Sequence, residues 1–383
     1  LYISIFRFNM KNIIITITFF VGTAITLISS LVLVFVADPL QLFNKHSDNK
    51  LLVGNMRQQA AGVINQYKFD SIVLGTSMLE NTSSKEASNI LGGNFTNISL
   101  SGSDFHTRSI VLKYALKNKE IKRVLYSLDG NVLTGSSISN TSNFDYLYDD
   151  NKLNDLKAYI NRKYLLCSVY SSFCLLDVEV ERPNAWYKNI EDSKRFGGLD
   201  NWFKAKNNSQ IKAAFESILT SIESIKQGKV SIDKNLKQNI EKSHNYIDST
   251  ILEFVSKYPQ TEFLLVIPPY SRISYAIDAQ YNVSEFKHFK DSVKYLVAKS
   301  AKYKNLKIYG WGNHSFVDNI SNYKDLGHYE YKINTFMLNA IKKEEGRLTT
   351  ENIDNYLDVF TKKALGYDLI QIGNKIDKYL NPQ

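Results

Sequence analysis

Hydrophobic positions follow two different patterns along the chain. Residues 12–37 contain no charged side chain. At about 1.5 Å per residue they would form a helix roughly 39 Å long, longer than the ~30 Å hydrocarbon core of a bilayer. A core helix of this length would keep a polar face, and this run has none, so the pattern predicts a membrane span. Asp38-Pro39-Leu40 stops it, because the residue before a proline is pushed out of the helical region. Residues 38–69 then read as a polar connector.

Beyond residue 70 the apolar runs are short. They fall at residues 71–74, 95–100, 123–128, 263–267 and 306–311. These runs are continuous rather than alternating, as expected of parallel strands buried on both faces. The first four end in Gly75, Ser101-Gly102, Asp129-Gly130 and Pro268-Pro269. Helical spacing appears at 105–116, where Ile110, Val111, Tyr114 and Ala115 share a face, and again at 286–301 and 329–341. The alternation predicts an α/β fold, a three-layer parallel sheet with helices on both faces, spanning residues 70–345. Residues 131–250 interrupt it with a stretch rich in Asn, Ser, Tyr and Lys. That stretch carries an amphipathic helix near 211–225 and reads as a lid-type insertion. Residues 346–383 read as a charged tail with helical patches.

Composition narrows the class. The 383 residues are 44% hydrophobic, 13% aromatic and 22% charged, which excludes a disordered or fibrous chain. Arg7 and Lys11 precede the apolar run and Asp38 follows it. The positive-inside rule therefore puts residues 1–11 in the cytoplasm and everything after the span outside. The run exceeds the ~7 to 15 residues of a signal-peptide core, and Phe35 stands where a cut after Ala37 would want a small residue, so an uncleaved anchor at 12–37 is expected. Met10-Lys11 reads as a translational start, with residues 1–9 an upstream extension. Cys167 and Cys174 are seven apart, about 10 Å if helical and beyond the ~7 Å reach of a disulfide. A bridge would need a bend between them, and two buried thiols are the other outcome.

The net charge of +9 permits an acidic partner. Its basic residues are scattered rather than striped, which argues against nucleic acid. There is no Walker loop, HExxH, CxxC pair or GxGxxG, so no nucleotide, metal or dinucleotide cofactor is expected.

In an open parallel sheet, ligands bind at the carboxyl ends of the strands. Gly75-Thr76-Ser77 places Ser77 just past the first strand. Entering a helix there, it would expose its hydroxyl, and its own N–H could help hold an oxyanion; an N-cap serine is the plain alternative. Asp325-Leu326-Gly327-His328 can fold the carboxylate under the imidazole and leave Nε2 as a base, with a following helix N-terminus disfavouring the imidazolium; a helix cap and a surface histidine fit the same residues. Gly102 after the second strand and Asn131 after the third are candidate oxyanion donors or simple turn residues. His106 and Arg108, just past Gly102, either face this site or are structural. Arg272 reads as a solvated loop arginine, with an acidic substrate as its other role.

Together these blocks resemble the SGNH (GDSL-type) hydrolase superfamily over residues 70–345. Asp38-Pro39, Gly75-Thr76-Ser77, Ile98-Ser99-Leu100-Ser101-Gly102, Ile267-Pro268-Pro269-Tyr270-Ser271 and Asp325-Leu326-Gly327-His328-Tyr329 are more closely similar to a membrane-anchored bacterial branch. That branch is similar to proteins that O-acetylate alginate or peptidoglycan and to the D-alanyl transfer protein of teichoic acids. The resemblance implies a flavodoxin-like sheet, with Ser77 as nucleophile, His328 as base, Asp325 as its orienting carboxylate and Gly102 as an oxyanion donor. It implies an esterase or O-acyltransferase acting on a cell-envelope glycan, with a polytopic membrane acyltransferase as partner. Two positions depart from the family. Ser127-Leu128-Asp129-Gly130-Asn131 replaces Gly-x-Asn-Asp, and Thr76 stands where Asp is common. The first departure motivates the alternative of an inactive scaffold that binds glycan or an acyltransferase.

Overall fold

A computed structural model describes residues 2–45, 55–170 and 193–382. It divides into two compact units, residues 1–67 with 142–179, and residues 68–141 with 180–383.

The first unit begins with the helix Tyr2–Ala37, whose portion Met10–Ala37, at mean hydropathy 2.4, is long and apolar enough to cross a membrane. Asp38 ends it with φ +39°, a left-handed value that Asp tolerates better than most residues. The Asp38 carboxylate is buried and accepts the N–H groups of Leu42, Phe43 and Asn44 at 2.9, 2.8 and 2.6 Å, together with the Tyr159 hydroxyl. Burial, and then the charge of Asp38, push the Tyr159 hydroxyl well above its ordinary range. The described part of the connector is a turn over residues 38–45 and the helix Met56–Gln66, and Gln59 Nε2 donates to the Leu40 carbonyl at 2.6 Å. Cys167 is buried on the helix Arg162–Val169. Cys174 lies outside the described residues, and so does the question of their pairing.

The second unit is built on a six-stranded sheet in the order β2-β1-β3-β4-β5-β6. Its strands are β1 Ser71–Leu74, β2 Phe95–Asn97, β3 Arg123–Ser127, β4 Glu262–Ile267, β5 Leu306–Gly310 and β6 Arg347–Leu348. The first five are parallel and β6 is antiparallel. Ile72 pairs with Val124, Val124 with Phe263, and Phe263 with Leu306. A row of apolar residues buried on both faces explains why these segments showed as unbroken hydrophobic runs. Residues 98–100 leave the regular ladder but still track β1, through Ile98 N–H to Val73 and Leu100 N–H to Gly75.

Two expectations about the chain outside the sheet need correction. The stretch 131–250 is not one lid. Residues 142–179 belong to the first unit, whereas the helix Ser209–Lys226 enters the core of the second. There Ile211, Phe215 and Ile218 cluster with Val73, Leu125 and Leu264, because its apolar residues recur at helical spacing and have a sheet face to cover. The segment 346–383 is not a tail either. β6 extends the sheet, the helix Ile353–Leu365 buries Tyr356 and Phe360, and the helix Leu369–Leu380 packs Gly373 against Ile222.

Candidate active site

The carboxyl ends of β1, β3 and β4 open onto a cavity of about 620 Å³. After β1 the chain turns at Thr76-Ser77-Met78-Leu79, closed by Leu79 N–H to the Thr76 carbonyl at 3.1 Å. Ser77 therefore sits in a tight turn and not at a helix start; the next helix, Ser84–Leu91, begins seven residues later and is capped by Ser83. The N-cap role for Ser77 falls with that correction.

Ser77 Oγ lies 3.0 Å from His328 Nε2. On the other side of the ring, His328 Nδ1 lies 2.8 Å from Asp325 Oδ2 and 3.0 Å from Oδ1. Asp325 is buried, and its Oδ1 also accepts the N–H groups of Gly327 and His328, at 2.9 and 2.8 Å. Burial raises this carboxyl. The bonds and charge of His328 and the N–H of Gly327 outweigh that and hold it below its ordinary value. An ionised Asp325 accepts Nδ1–H and leaves Nε2 with a lone pair facing the Ser77 hydroxyl. Gly327 makes the loop possible by close approach, since a Cβ there would stand 3.2 Å from the Tyr270 ring. Ser271 fastens the same loop, its N–H and Oγ both donating to the Leu326 carbonyl at 3.1 and 2.6 Å.

The candidate oxyanion donors separate. Gly102 lines the cavity with φ +60°, a conformation that favours glycine, and a Cβ there would meet nothing within 4 Å. Among the described residues no acceptor takes the backbone N–H of Ser77 or of Gly102, and both residues line the cavity. Asn131 lines the cavity from the short helix Gly130–Leu133, exposed and without a side-chain hydrogen bond among the described residues.

A buried network beneath Ser77 was not foreseen from the sequence. Asp129 accepts Thr76 Oγ1 at 2.6 Å, Ser127 Oγ at 2.7 Å and the Tyr270 hydroxyl at 3.3 Å, and it pairs with Arg108 at 3.3 Å. Ser127 Oγ accepts the Thr76 N–H at 3.2 Å, and Thr76 Oγ1 accepts the Met78 N–H at 3.3 Å. The backbone is thereby held on both sides of Ser77. Burial first, and then the charge of Asp129, push the Tyr270 hydroxyl well up, so it stays protonated as a donor. The only prior signal was the Ser-x-Asp spacing at the end of β3.

Other cationic candidates resolve differently. Arg108 is structural and fully buried, with Nη1 donating to the Ser127 carbonyl at 2.6 Å. His106 is tied by its N–H to the Tyr246 hydroxyl at 2.7 Å. Arg272 is neither solvated nor in the cavity wall; it is 1% exposed and bonds Asp318 at 2.6 Å. Among the described residues no group of three or more His, Cys, Asp or Glu could hold a metal ion. No family model matches this sequence, and no curated protein matches it. Chemically, the arrangement joins a hydroxyl, a base, an orienting carboxylate and two N–H donors on one cavity.

Proposed function

We propose that the second unit is an SGNH-type serine esterase or O-acyltransferase on a flavodoxin-like sheet, acting on O-acyl groups of a cell-envelope polysaccharide. In this reading residues 12–37 anchor it by a single pass, with residues 1–11 in the cytoplasm and the remainder outside. The observation that carries the proposal is the unbroken chain Ser77 Oγ to His328 Nε2 at 3.0 Å and His328 Nδ1 to Asp325 at 2.8 Å. The β2-β1-β3-β4-β5 order, with Ser77 at the carboxyl end of β1, supports the family resemblance.

The chemistry follows from these positions. Ser77 Oγ bonds to the acyl carbon as its proton passes to His328 Nε2, and the carbonyl oxygen becomes an oxyanion facing the N–H groups of Ser77 and Gly102. Collapse breaks the bond to the donor oxygen, which takes the proton from Nε2 and leaves an ester on Ser77. A sugar hydroxyl, or water, then attacks that ester and gives its proton to His328, and Ser77 regains it as the acyl group departs. A polytopic membrane acyltransferase is the partner that would supply or receive the acyl group.

An inactive scaffold would have no need of a serine within hydrogen-bond reach of a carboxylate-oriented histidine, which favours the catalytic reading. Mass spectrometry of envelope glycans from cells carrying Ser77→Ala tests it. Loss of O-acyl substituents is expected, and full substitution overturns the proposal.

A further inference from the structure

The chain carries a net charge of +9, yet among the described residues neither Lys nor Arg lines the cavity around Ser77. Five carboxylates do: Asp104, Asp129, Asp278, Glu285 and Asp325. Asp129 is paired with Arg108 at 3.3 Å, and Asp325 accepts the Nδ1–H of His328 at 2.8 Å. The other three have neutral partners. Asp104 accepts the N–H groups of Thr107 and Ser139 at 2.7 and 2.8 Å. Asp278 accepts the Asn282 side-chain amide at 3.3 Å, and Glu285 accepts the Thr134 hydroxyl. Among the described residues no cation forms an ion pair with any of these three.

Asp278 and Glu285 stand on successive helices, Arg272–Gln280 and Val283–Ser300, close enough for the charge of Glu285 to reach Asp278. Tyr275, Phe286 and Phe289 share this stretch of wall. Aromatic faces attract cations and repel anions, so rings and carboxylates favour the same sign. A concave site lined by one sign of charge focuses its field on whatever enters, and unpaired like charge is an effective way to reject a ligand.

We propose that the cavity selects its acyl substrate by charge. Acyl groups ending in a cation are taken fastest, neutral ones more slowly, and ones ending in a carboxylate are rejected, with Asp278 and Glu285 as the selecting residues. The inference rests on the reading of Ser77 as nucleophile.

The test uses the full chain in neutral detergent and three fluorophosphonates that share one linker and end in a trimethylammonium, a tert-butyl or a carboxylate group. Each reacts alike: Ser77 Oγ bonds to phosphorus, fluoride leaves, and the hydroxyl proton passes to His328. The trimethylammonium and tert-butyl ends have the same shape, so their ratio reads charge alone. Adduct formation at Ser77 is expected to be about tenfold faster for the cation than for tert-butyl, and about tenfold slower again for the carboxylate. In the paired variant Asp278→Asn, Glu285→Gln the three rates should converge to within about threefold, with the tert-butyl rate reporting that the site is intact. Glu285→Gln alone, at an exposed position, should narrow the spread without disturbing the core. Equal rates in the wild type overturn charge selection while leaving the reading of Ser77 in place. A wild-type order that persists in both variants overturns the role of these two residues. No adduct with any probe in folded protein overturns the reading of Ser77 and the selection with it.

Discussion

The hydroxyl of Tyr329 donates a hydrogen bond to the carbonyl of Met78 at 2.9 Å, and both residues are buried. Met78 follows Ser77 and Tyr329 follows His328, so this one bond ties together the two loops that bring the site's hydroxyl to its base. Tyr329→Phe leaves a buried carbonyl without its donor, which costs about 1–3 kcal/mol. We expect a lower Tm and a roughly tenfold slower acylation of Ser77, followed with a 4-nitrophenyl ester. A variant that lost stability at an unchanged acylation rate would show that the tie does not set the catalytic geometry.

Asp325→Asn keeps the shape of the loop but turns an amide N–H toward the imidazole. The ring then carries its proton on Nε2, where it cannot accept one from Ser77. Acylation should fall by about 10³-fold or more while the variant stays folded by circular dichroism. A loss of less than about tenfold would remove Asp325 from the orienting role.

The network under Ser77 can be tested through a pair of substitutions. Thr76→Ser keeps the hydroxyl that bonds Asp129, and Thr76→Val replaces it with a methyl group of similar size. Acylation should survive in the first and drop by about tenfold or more in the second, with the change in kcat rather than KM. Arg108→Met strands Asp129 as a buried charge without its cation and should cost about 3–5 kcal/mol, read as the shift in a urea unfolding midpoint. Equal behaviour of the two Thr76 variants would make the network a matter of packing alone.

Asp278 makes stability depend on pH in a stated direction. Burial, joined by the charge of Glu285 and opposed by the Asn282 amide, raises its carboxyl from 3.8 to about 6. The folded state therefore holds this proton more tightly than the unfolded chain does. The group weakens the fold as pH rises from 3.8 through about 6, with the full cost present above that. Asp278→Asn should raise Tm at pH 8 by the equivalent of about 1–2 kcal/mol, with the gain gone below pH ~4. Asp325 runs the opposite way, because its carboxyl is held below its ordinary value of 3.8. Its contribution is complete above that value and lost as pH falls below it. An Asp278→Asn variant less stable than wild type at pH 8 would contradict the assignment.

The β-strands were legible in the sequence because a strand covered on both faces must be apolar along its whole length, as Ile72-Val73-Leu74 is. β6 was not, since Arg347–Leu348 is too short and too charged to carry a pattern. The helices Ile353–Leu365 and Leu369–Leu380 read as a tail because their outer faces are charged, although Tyr356, Phe360 and Ile376 mark the buried side. In the site, Ser77, Asp325 and His328 stood out by residue type and by their place after strands. The buried roles of Asp129, Arg108 and Arg272 could not be read there, because a buried charge is explained only by partners distant in the chain. Arg272 meets Asp318 across 46 positions, and Asp129 meets Thr76 across 53.

The central claim is that Ser77 is a nucleophile activated by His328. Peptide mass spectrometry after treatment of the full chain with a small neutral fluorophosphonate tests it most directly. The account predicts one phosphonyl adduct, on Ser77, which is absent from Ser77→Ala and at least about 10²-fold slower to form in His328→Ala. A folded wild-type protein that gives no adduct at Ser77, or one that forms as fast without His328, would contradict it.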